Sequence, residues 1–210
     1  MRRILFPLLT MAMLLAAATP AAAATETFRY SIEGAGAWAS GVRYTDTTFD
    51  AAWVELGDEV TRASDGASFV SYVLFEHLRE MCDADGCITK YTSGWAENVP
   101  FSIDRKKLMS ASVEVTIDAI RCTDDGQSET CRPVRVPVSI SWSGFGKMIR
   151  SHGTGSGGIA GEYQYTLNGA ATERWANVSG SIGRFDLGTA FEPIGALYRT
   201  RYAERTVSHI

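Results

Sequence analysis

Alternation of apolar and polar residues predicts β-strands along most of this chain. Segment 110–122 is the clearest case, with apolar residues at every second position: Ala111, Val113, Val115, Ile117 and Ala119. A period of two places one set of side chains in the core and the other in water. Segment 134–142 continues in the same way, with Val134, Val136, Val138, Ile140 and Trp142 on its apolar side. The two segments together predict one long amphipathic hairpin.

Other segments extend the β prediction, with two local exceptions to simple alternation. Pro137 has no N–H to donate to a ladder, so it predicts an edge or a bulge in the second strand of the hairpin. Segment 69–81 fits helical spacing, yet its β-branched and aromatic residues favour a strand, which is the prediction adopted. Further strands are predicted at 28–44, 48–56, 88–95, 162–167, 172–182 and 196–207.

Eight or nine such strands separated by Gly, Asp and Ser turns predict an all-β fold. The expected form is an antiparallel β-sandwich, with a β-barrel as the alternative. No long linker divides residues 25–210, so we expect a single domain there. The glycine-rich run from Gly153 to Gly158 is predicted to be a flexible loop between strands.

The first 24 residues have the organisation of a cleavable export signal. Arg2 and Arg3 precede an apolar stretch that ends in a run of alanines, Ala21 to Ala24. That stretch is too short to span a bilayer, which takes about 20 residues. We therefore expect a secreted, extracellular protein without an integral membrane segment in the mature chain.

Four cysteines follow the predicted signal, and an exported chain favours their oxidation. Three pairings are possible. The local one, Cys82–Cys87 and Cys122–Cys131, is preferred because each pair brackets an Asp-Gly turn typical of a hairpin tip. Oxidised sulfurs cannot act as thiolate ligands, so a cysteine-based zinc site is not expected.

Composition and charge narrow the range of functions. The chain is 45% hydrophobic and 10% aromatic, which excludes a disordered protein. A net charge of −4 argues against a nucleic-acid partner, which needs a concentrated positive surface. Removal of residues 1–24 leaves 18 basic and 24 acidic residues, a net charge of −6.

A loose resemblance accompanies these features. The run from Phe101 to Leu108, the strand 112–117, the cysteine pair and the run from Val138 to Gly146 resemble a pattern in secreted proteins of high-GC Gram-positive bacteria. The resemblance covers about a third of the chain. It implies an all-β extracellular domain and brings neither an activity nor site residues with it.

The sequence contains no motif for catalysis, cofactor binding or metal binding. We therefore assign no catalytic, cofactor-binding or metal-ligating residue. No serine has glycine at both −2 and +2, as a nucleophile elbow requires, and no P-loop lysine follows the glycine-rich run. His77, His152 and His209 are scattered, and His152 is interpreted as a solvated loop residue. Asp83 and Asp85 resemble part of a calcium loop but lack its remaining ligands.

Three functions remain in contention. The leading hypothesis is a non-catalytic extracellular binding or cell-surface module, with an anionic cell-wall polymer as one partner for Arg199, Arg201 and Arg205. The alternatives are a polysaccharide hydrolase with a carboxylate pair and a small-ligand carrier with a barrel interior. Exposed and coplanar tryptophans would favour the first hypothesis, whereas Trp53 and Trp142 are predicted to lie in the core.

Overall fold

The computed structural model describes residues 25–209, and the predicted export signal, residues 1–24, lies outside them. Eleven strands and one short 3-10 helix, Leu187–Thr189, make up most of the described chain. The strands are β1 (Thr25–Tyr44), β2 (Thr48–Ala63), β3 (Gly66–Asp83), β4 (Gly86–Glu97), β5 (Phe101–Ile103), β6 (Ser110–Asp124), β7 (Glu129–Gly144), β8 (Ile149–Ile159), β9 (Tyr163–Ile182), β10 (Phe185–Asp186) and β11 (Phe191–His209).

The eight long strands form a closed antiparallel sheet. They pair in the order β9, β11, β1, β2, β3, β4, β6 and β7, and β7 pairs again with the C-terminal part of β9. The all-β antiparallel fold is therefore confirmed, and the closed ring corresponds to its barrel form. The strand predicted at 69–81 lies within β3, and the predicted long hairpin is formed by β6 and β7.

Alternate residues of the closed sheet fill an apolar interior. Its largest fully buried side chains are Trp142, Phe75, Phe185, Leu56 and Leu108. Burial of each such side chain contributes about 1.5–3 kcal/mol to folding. The indole Nε1 of Trp142 donates a hydrogen bond of 2.8 Å to the Trp38 carbonyl, so the polar atom of this core residue is satisfied. Trp53, predicted in the core, alternates with Ala52 and Val54 and is only half-buried.

The turn 104–109 closes one end of the interior. Asp104 Oδ1 accepts hydrogen bonds from the backbone N–H groups of Lys106 and Lys107, and these bonds lower the pKa of the carboxyl group. Leu108 has a φ of 51° and a fully buried side chain. A positive φ is unfavourable for leucine, so its burial must offset the local backbone cost.

The strands continue beyond the closed ring at both ends. At one end the β3–β4 and β6–β7 hairpins carry the two disulfides, and we call this the disulfide end. At the other end β8 and the adjoining parts of β9, β11, β1, β2 and β3 form an open sheet, which we call the open-sheet end.

The run from Gly153 to Gly158 is a strand, so its prediction as a loop is wrong. It lies in β8 and pairs residue for residue with β9. A Cβ atom at Gly157 would lie 2.6 Å from the hydroxyl of Tyr165, the residue opposite it. Glycine therefore leaves room for an aromatic ring on the neighbouring strand, which glycine content alone does not distinguish from a loop.

Pro137 lies where one side of β7 lacks a strand partner, as predicted. β7 pairs with β6 along its whole length, but its pairing with β9 begins only at Val138. The Pro137 carbonyl accepts a hydrogen bond from the N–H of Gly183 on that second side. Since the N and C=O of a strand residue point to the same side, the proline ring faces the gap between β7 and the end of β9.

Candidate anion-binding pocket

Rows of polar side chains follow the apolar interior toward the disulfide end. Paired residues of neighbouring strands point to the same face, so the register defines these rows. The last apolar row joins Val54, Phe75, Gly94, Ala119 and Val134. The next row joins Ala52, His77, Thr92, Arg121 and Arg132, and the one after it joins Asp50, Arg79, Lys90, Thr123 and Thr130. The interior thus changes from apolar to cationic within two rows.

These rows line an open cavity of about 760 Å³. A cavity of this size accommodates a small organic ligand. Its lining includes six basic residues and no acidic residue; the basic residues are Arg79, Lys90, Arg121, Arg132, Arg135 and Arg184. Arg135 occupies an outward-facing position of β7, opposite Asp118. The six are a third of the 18 basic residues that follow the predicted signal. The negative charge of the chain as a whole therefore conceals a strongly positive pocket.

Two like-charged pairs stand directly opposite one another in the pocket. Arg79 of β3 faces Lys90 of β4, and Arg121 of β6 faces Arg132 of β7. Like charges in directly opposite positions destabilise a sheet. Folding alone therefore gives no reason for this arrangement, whereas an anion bound between the cations would turn repulsion into attraction.

The nearby acids are paired with residues other than the facing arginines and lysine of the pocket. Asp50 of β2, which lies opposite Arg79 of β3, is buried. Its carboxylate oxygens lie 3.0 Å from Arg43 Nη2 and 2.5 Å from His77 Nε2. Arg135 lies 3.5 Å from Asp118 in an exposed pair. Among the side chains that the structure describes, no carboxylate lies within 4.0 Å of the other five pocket cations.

Arg121 is held in position by a neighbouring strand. Its Nε donates a hydrogen bond of 3.1 Å to the hydroxyl of Thr92, which is 3% exposed. A guanidinium has five N–H donors, so both of its terminal NH₂ groups remain free of that bond. Such a group binds phosphate or carboxylate oxygens in a bidentate manner. On the pocket wall, the His77 ring packs against Phe185, with 5.4 Å between their centroids.

Both predicted disulfides are formed, and they clip the ribbons that carry the cations. The sulfur atoms are 2.04 Å apart in Cys82–Cys87 and 2.02 Å apart in Cys122–Cys131. Cys122 and Cys131 are paired one ladder position from Arg121 and Arg132. The covalent bond therefore holds two strands together where their arginines repel each other.

The acidic residues of the hairpin tips have structural roles. Asp83 Oδ1 accepts hydrogen bonds from the backbone N–H groups of Asp85 and Gly86, as expected of a turn residue rather than a calcium ligand. Asp125 Oδ1 accepts in the same way from Ser128 and Gln127, and these bonds lower its carboxyl pKa. Glu80 and Glu129 each lie near a cysteine pair, but the sulfurs there are oxidised and cannot serve as thiolate ligands.

Other residues considered from the sequence lie outside the pocket. His152 is exposed on β8, and Arg199, Arg201 and Arg205 lie at the open-sheet end. Trp95 is 60% exposed beside an outer groove of about 570 Å³ that includes Leu74 and Ile120. Trp38 and Trp175 meet edge to face, at an interplanar angle of 77°, and so form no coplanar platform.

The sequence contained a signal for the pocket that motif searching missed. Arg121 continues the core-facing positions of segment 110–122, and Arg132 has the same parity as Val134 and Val136. A charged residue at a core-facing position of an amphipathic strand predicts either a rim or a binding site. The convergence of four strands at the pocket, however, depends on long-range pairing.

Comparison with protein-family models, with curated protein sequences and with solved structures finds no match to this chain. Within residues 25–209, no helix is long and apolar enough to cross a membrane.

Proposed function

We propose that this protein is an exported binding protein that captures a compact anion carrying two or more phosphate or carboxylate groups. The observation that carries the proposal is the pocket of about 760 Å³, whose lining has no acidic residue and includes four cations that face the interior from paired strand positions: Arg79, Lys90, Arg121 and Arg132. Arginine suits both acid groups because its planar fork binds them bidentately. Several cations call for a multiply charged ligand, since a single anionic group would leave most of them repelling each other.

The predicted export signal and the two disulfides support a location outside the cytoplasm. A binding role agrees with the leading hypothesis from the sequence. The pocket does not favour a polysaccharide hydrolase, which needs two carboxylates, because its lining has none. It agrees in part with a small-ligand carrier that has a barrel interior, since the pocket lies at one end of that interior, but the lining is cationic instead of apolar.

Calorimetric titration with tripolyphosphate and with citrate tests the proposal. Both probes should bind wild type, and affinity should weaken with added salt because the contacts are ionic. Arg121→Gln and Arg132→Gln should each reduce affinity by about tenfold, the effect of losing one charge-assisted hydrogen bond. Lys147→Gln, in the exposed segment between β7 and β8, is the matched control and should bind as wild type does.

Two results would contradict the proposal. One is a lack of binding of either probe to the folded wild-type protein at millimolar concentration. The other is an equal loss of affinity in Arg121→Gln and in the Lys147→Gln control, which would indicate general charge attraction instead of a defined pocket.

A further inference from the structure

Six arginines share one face of the sheet at the open-sheet end, far from the pocket. Following the register outward from the closed ring, Arg150 of β8 and Arg199 of β11 lie in the first row, and Arg201 lies in the second. Arg62 of β2 lies in the third row, and Arg29 of β1 lies opposite Arg205 of β11 in the fourth. We call this surface the arginine face.

The outermost part of this face contains a groove of about 370 Å³. Arg29, Arg62 and Arg205 line it together with Ser31 and Asn168. Arg29 and Arg205 are a third like-charged pair in directly opposite positions. Like the two pairs in the pocket, they are unfavourable for pairing unless an anion lies between them.

The acids on this face are paired with arginines other than Arg29 and Arg205. Glu33 lies 3.3 Å from Arg62 Nη1 and 3.1 Å from Arg201 Nε. Asp58 pairs with Arg105 of the turn 104–109.

Glu204 lines the groove, but its two oxygens accept hydrogen bonds from Tyr202 and Thr206. Among the described side chains, no carboxylate lies within 4.0 Å of Arg29 or Arg205. This pair is therefore available to an external anion.

The shape and chemistry of the arginine face suit a chain more than a compact ion. From Arg199 to Arg205 the strand advances about 20 Å, at about 3.3 Å per residue. Hydroxyl and amide side chains lie among the arginines on the same face: Ser31, Thr154, Ser156, Thr166 and Asn168. A polymer with repeated acid groups and free hydroxyls would match both sets of side chains.

Most aromatic residues of this region lie on the opposite face, whereas Phe69 of β3, which is 60% exposed, shares the second row of the arginine face. Phe28, Tyr30 and Tyr202 occupy the alternate strand positions, where Phe28 stacks on Tyr30 and Tyr30 meets Tyr202 edge to face. Proteins that bind single-stranded nucleic acids stack bases on aromatic side chains beside a basic groove. The row of Arg29 and Arg205 contains no aromatic residue, and Phe69 alone, two rows away, gives no series of stacking positions along the arginines; this favours a polysaccharide over a nucleic acid.

We propose that the arginine face is a second, independent site, which binds a linear acidic polysaccharide through its carboxylate groups. The apolar interior and the turn 104–109 separate this face from the pocket, so the two sites can be tested one at a time.

Binding of polygalacturonate to immobilised full-length mature protein tests the proposal, with neutral dextran as the uncharged control. The double variant Arg29→Gln/Arg205→Gln should weaken polygalacturonate binding at least tenfold and reduce its salt dependence, while tripolyphosphate binding in the pocket stays unchanged. The matched variant Arg121→Gln/Arg132→Gln should keep polygalacturonate binding at the wild-type level. Thermal unfolding of both double variants checks that they are folded.

Three outcomes would overturn this proposal. They are wild-type polygalacturonate affinity in the Arg29/Arg205 double variant, an equal loss in the Arg121/Arg132 double variant, and tighter binding of single-stranded DNA than of polygalacturonate. A fourth outcome, tight binding of dextran sulfate without binding of polygalacturonate, would also overturn it, because the recognised group would then not be a carboxylate. A failure of the pocket proposal is distinct from all of these, because it would appear as a loss of tripolyphosphate binding in wild type.

Discussion

Arg121 of β6 lies directly opposite Arg132 of β7 on the interior face of the sheet, one ladder position from the Cys122–Cys131 disulfide. Repulsion between the two guanidinium groups opposes pairing at the point where the disulfide enforces it. The ribbon therefore combines a local electrostatic cost with a covalent constraint. This combination is expected of a surface whose charges serve a ligand instead of the fold.

Replacement of Arg132 by Gln should stabilise the protein while weakening anion binding. Removal of one member of a like-charged pair should raise the free energy of unfolding by about 0.5 kcal/mol at low salt, and by less when salt screens the charges. Urea unfolding at two salt concentrations measures this. Arg135→Gln is the control, since it breaks an exposed pair with Asp118 and should give no gain. A loss of stability in Arg132→Gln would show that the arginine has a structural role.

Loss of the Cys122–Cys131 disulfide should cost more stability than loss of Cys82–Cys87. The bridges close loops with sequence separations of 9 and 5 residues, and chain entropy assigns them about 3 and 2 kcal/mol respectively. Paired Cys→Ser variants measured by urea unfolding test the order. The Cys122→Ser/Cys131→Ser variant should also bind tripolyphosphate more weakly, because Arg121 and Arg132 are then free to separate. Wild-type affinity in that variant would contradict the proposed constraint on the pocket.

Gly94→Ala should lower the free energy of unfolding by about 1–3 kcal/mol, the usual cost of overpacking, because Gly94 lies in the last apolar row of the interior. A Cβ atom there would lie 2.6 Å from a ring carbon of Phe75 and 2.9 Å from the Cβ of Ala119. The matched control is Gly153→Ala on β8, where no atom lies within 4 Å of the added carbon. Thermal unfolding should show a lower midpoint for Gly94→Ala only; equal midpoints for both variants would contradict the packing described here.

Stability should fall as the pH rises above about 10, the pKa of an unfolded tyrosine. Burial of Tyr198 and its hydrogen bond to Glu55 raise the pKa of this phenol. The folded protein therefore keeps a proton that the unfolded chain releases above that pH, and the equilibrium shifts toward unfolding. Urea unfolding from neutral pH to about pH 11 measures the effect.

Tyr198→Phe should flatten this alkaline dependence, because the replaced side chain cannot titrate. Tyr44→Phe is the control, since the Tyr44 ring is 64% exposed at the end of β1. An identical alkaline profile in Tyr198→Phe and wild type would show that another group is responsible.

Local patterns were sufficient to predict most of the long strands and both disulfides, but not β8. The alternation from Ala111 to Ala119 reports directly on a half-buried strand, and the Asp-Gly turns between the cysteines identify the hairpin tips. Glycine was the main source of error. In β8, Gly157 leaves room for the ring of Tyr165 on the neighbouring strand. This relationship becomes evident only when the register of β8 and β9 is known.

The pocket required information that one strand does not contain. Arg79, Arg121 and Arg132 come from three strands, and their proximity depends on the pairing of β4 with β6 across 25 or more residues of chain. The sequence indicated the chemistry of the arginine face more clearly, because Arg199, Arg201 and Arg205 share the parity of one strand. It could not indicate that Arg29 and Arg62 join them from β1 and β2.

The pocket opens at the disulfide end of the barrel and also at its side, where Pro133 and Pro137 of β7 lie. Their equal parity directs both rings into the gap beside the end of β9, where neither residue can donate an N–H to an approaching strand. The barrel therefore cannot close completely along this seam, and Val136, Pro137 and Gly183 on its two sides also line the pocket. A ligand could enter the pocket through this lateral gap, so binding would require no movement of a hinge or a lid.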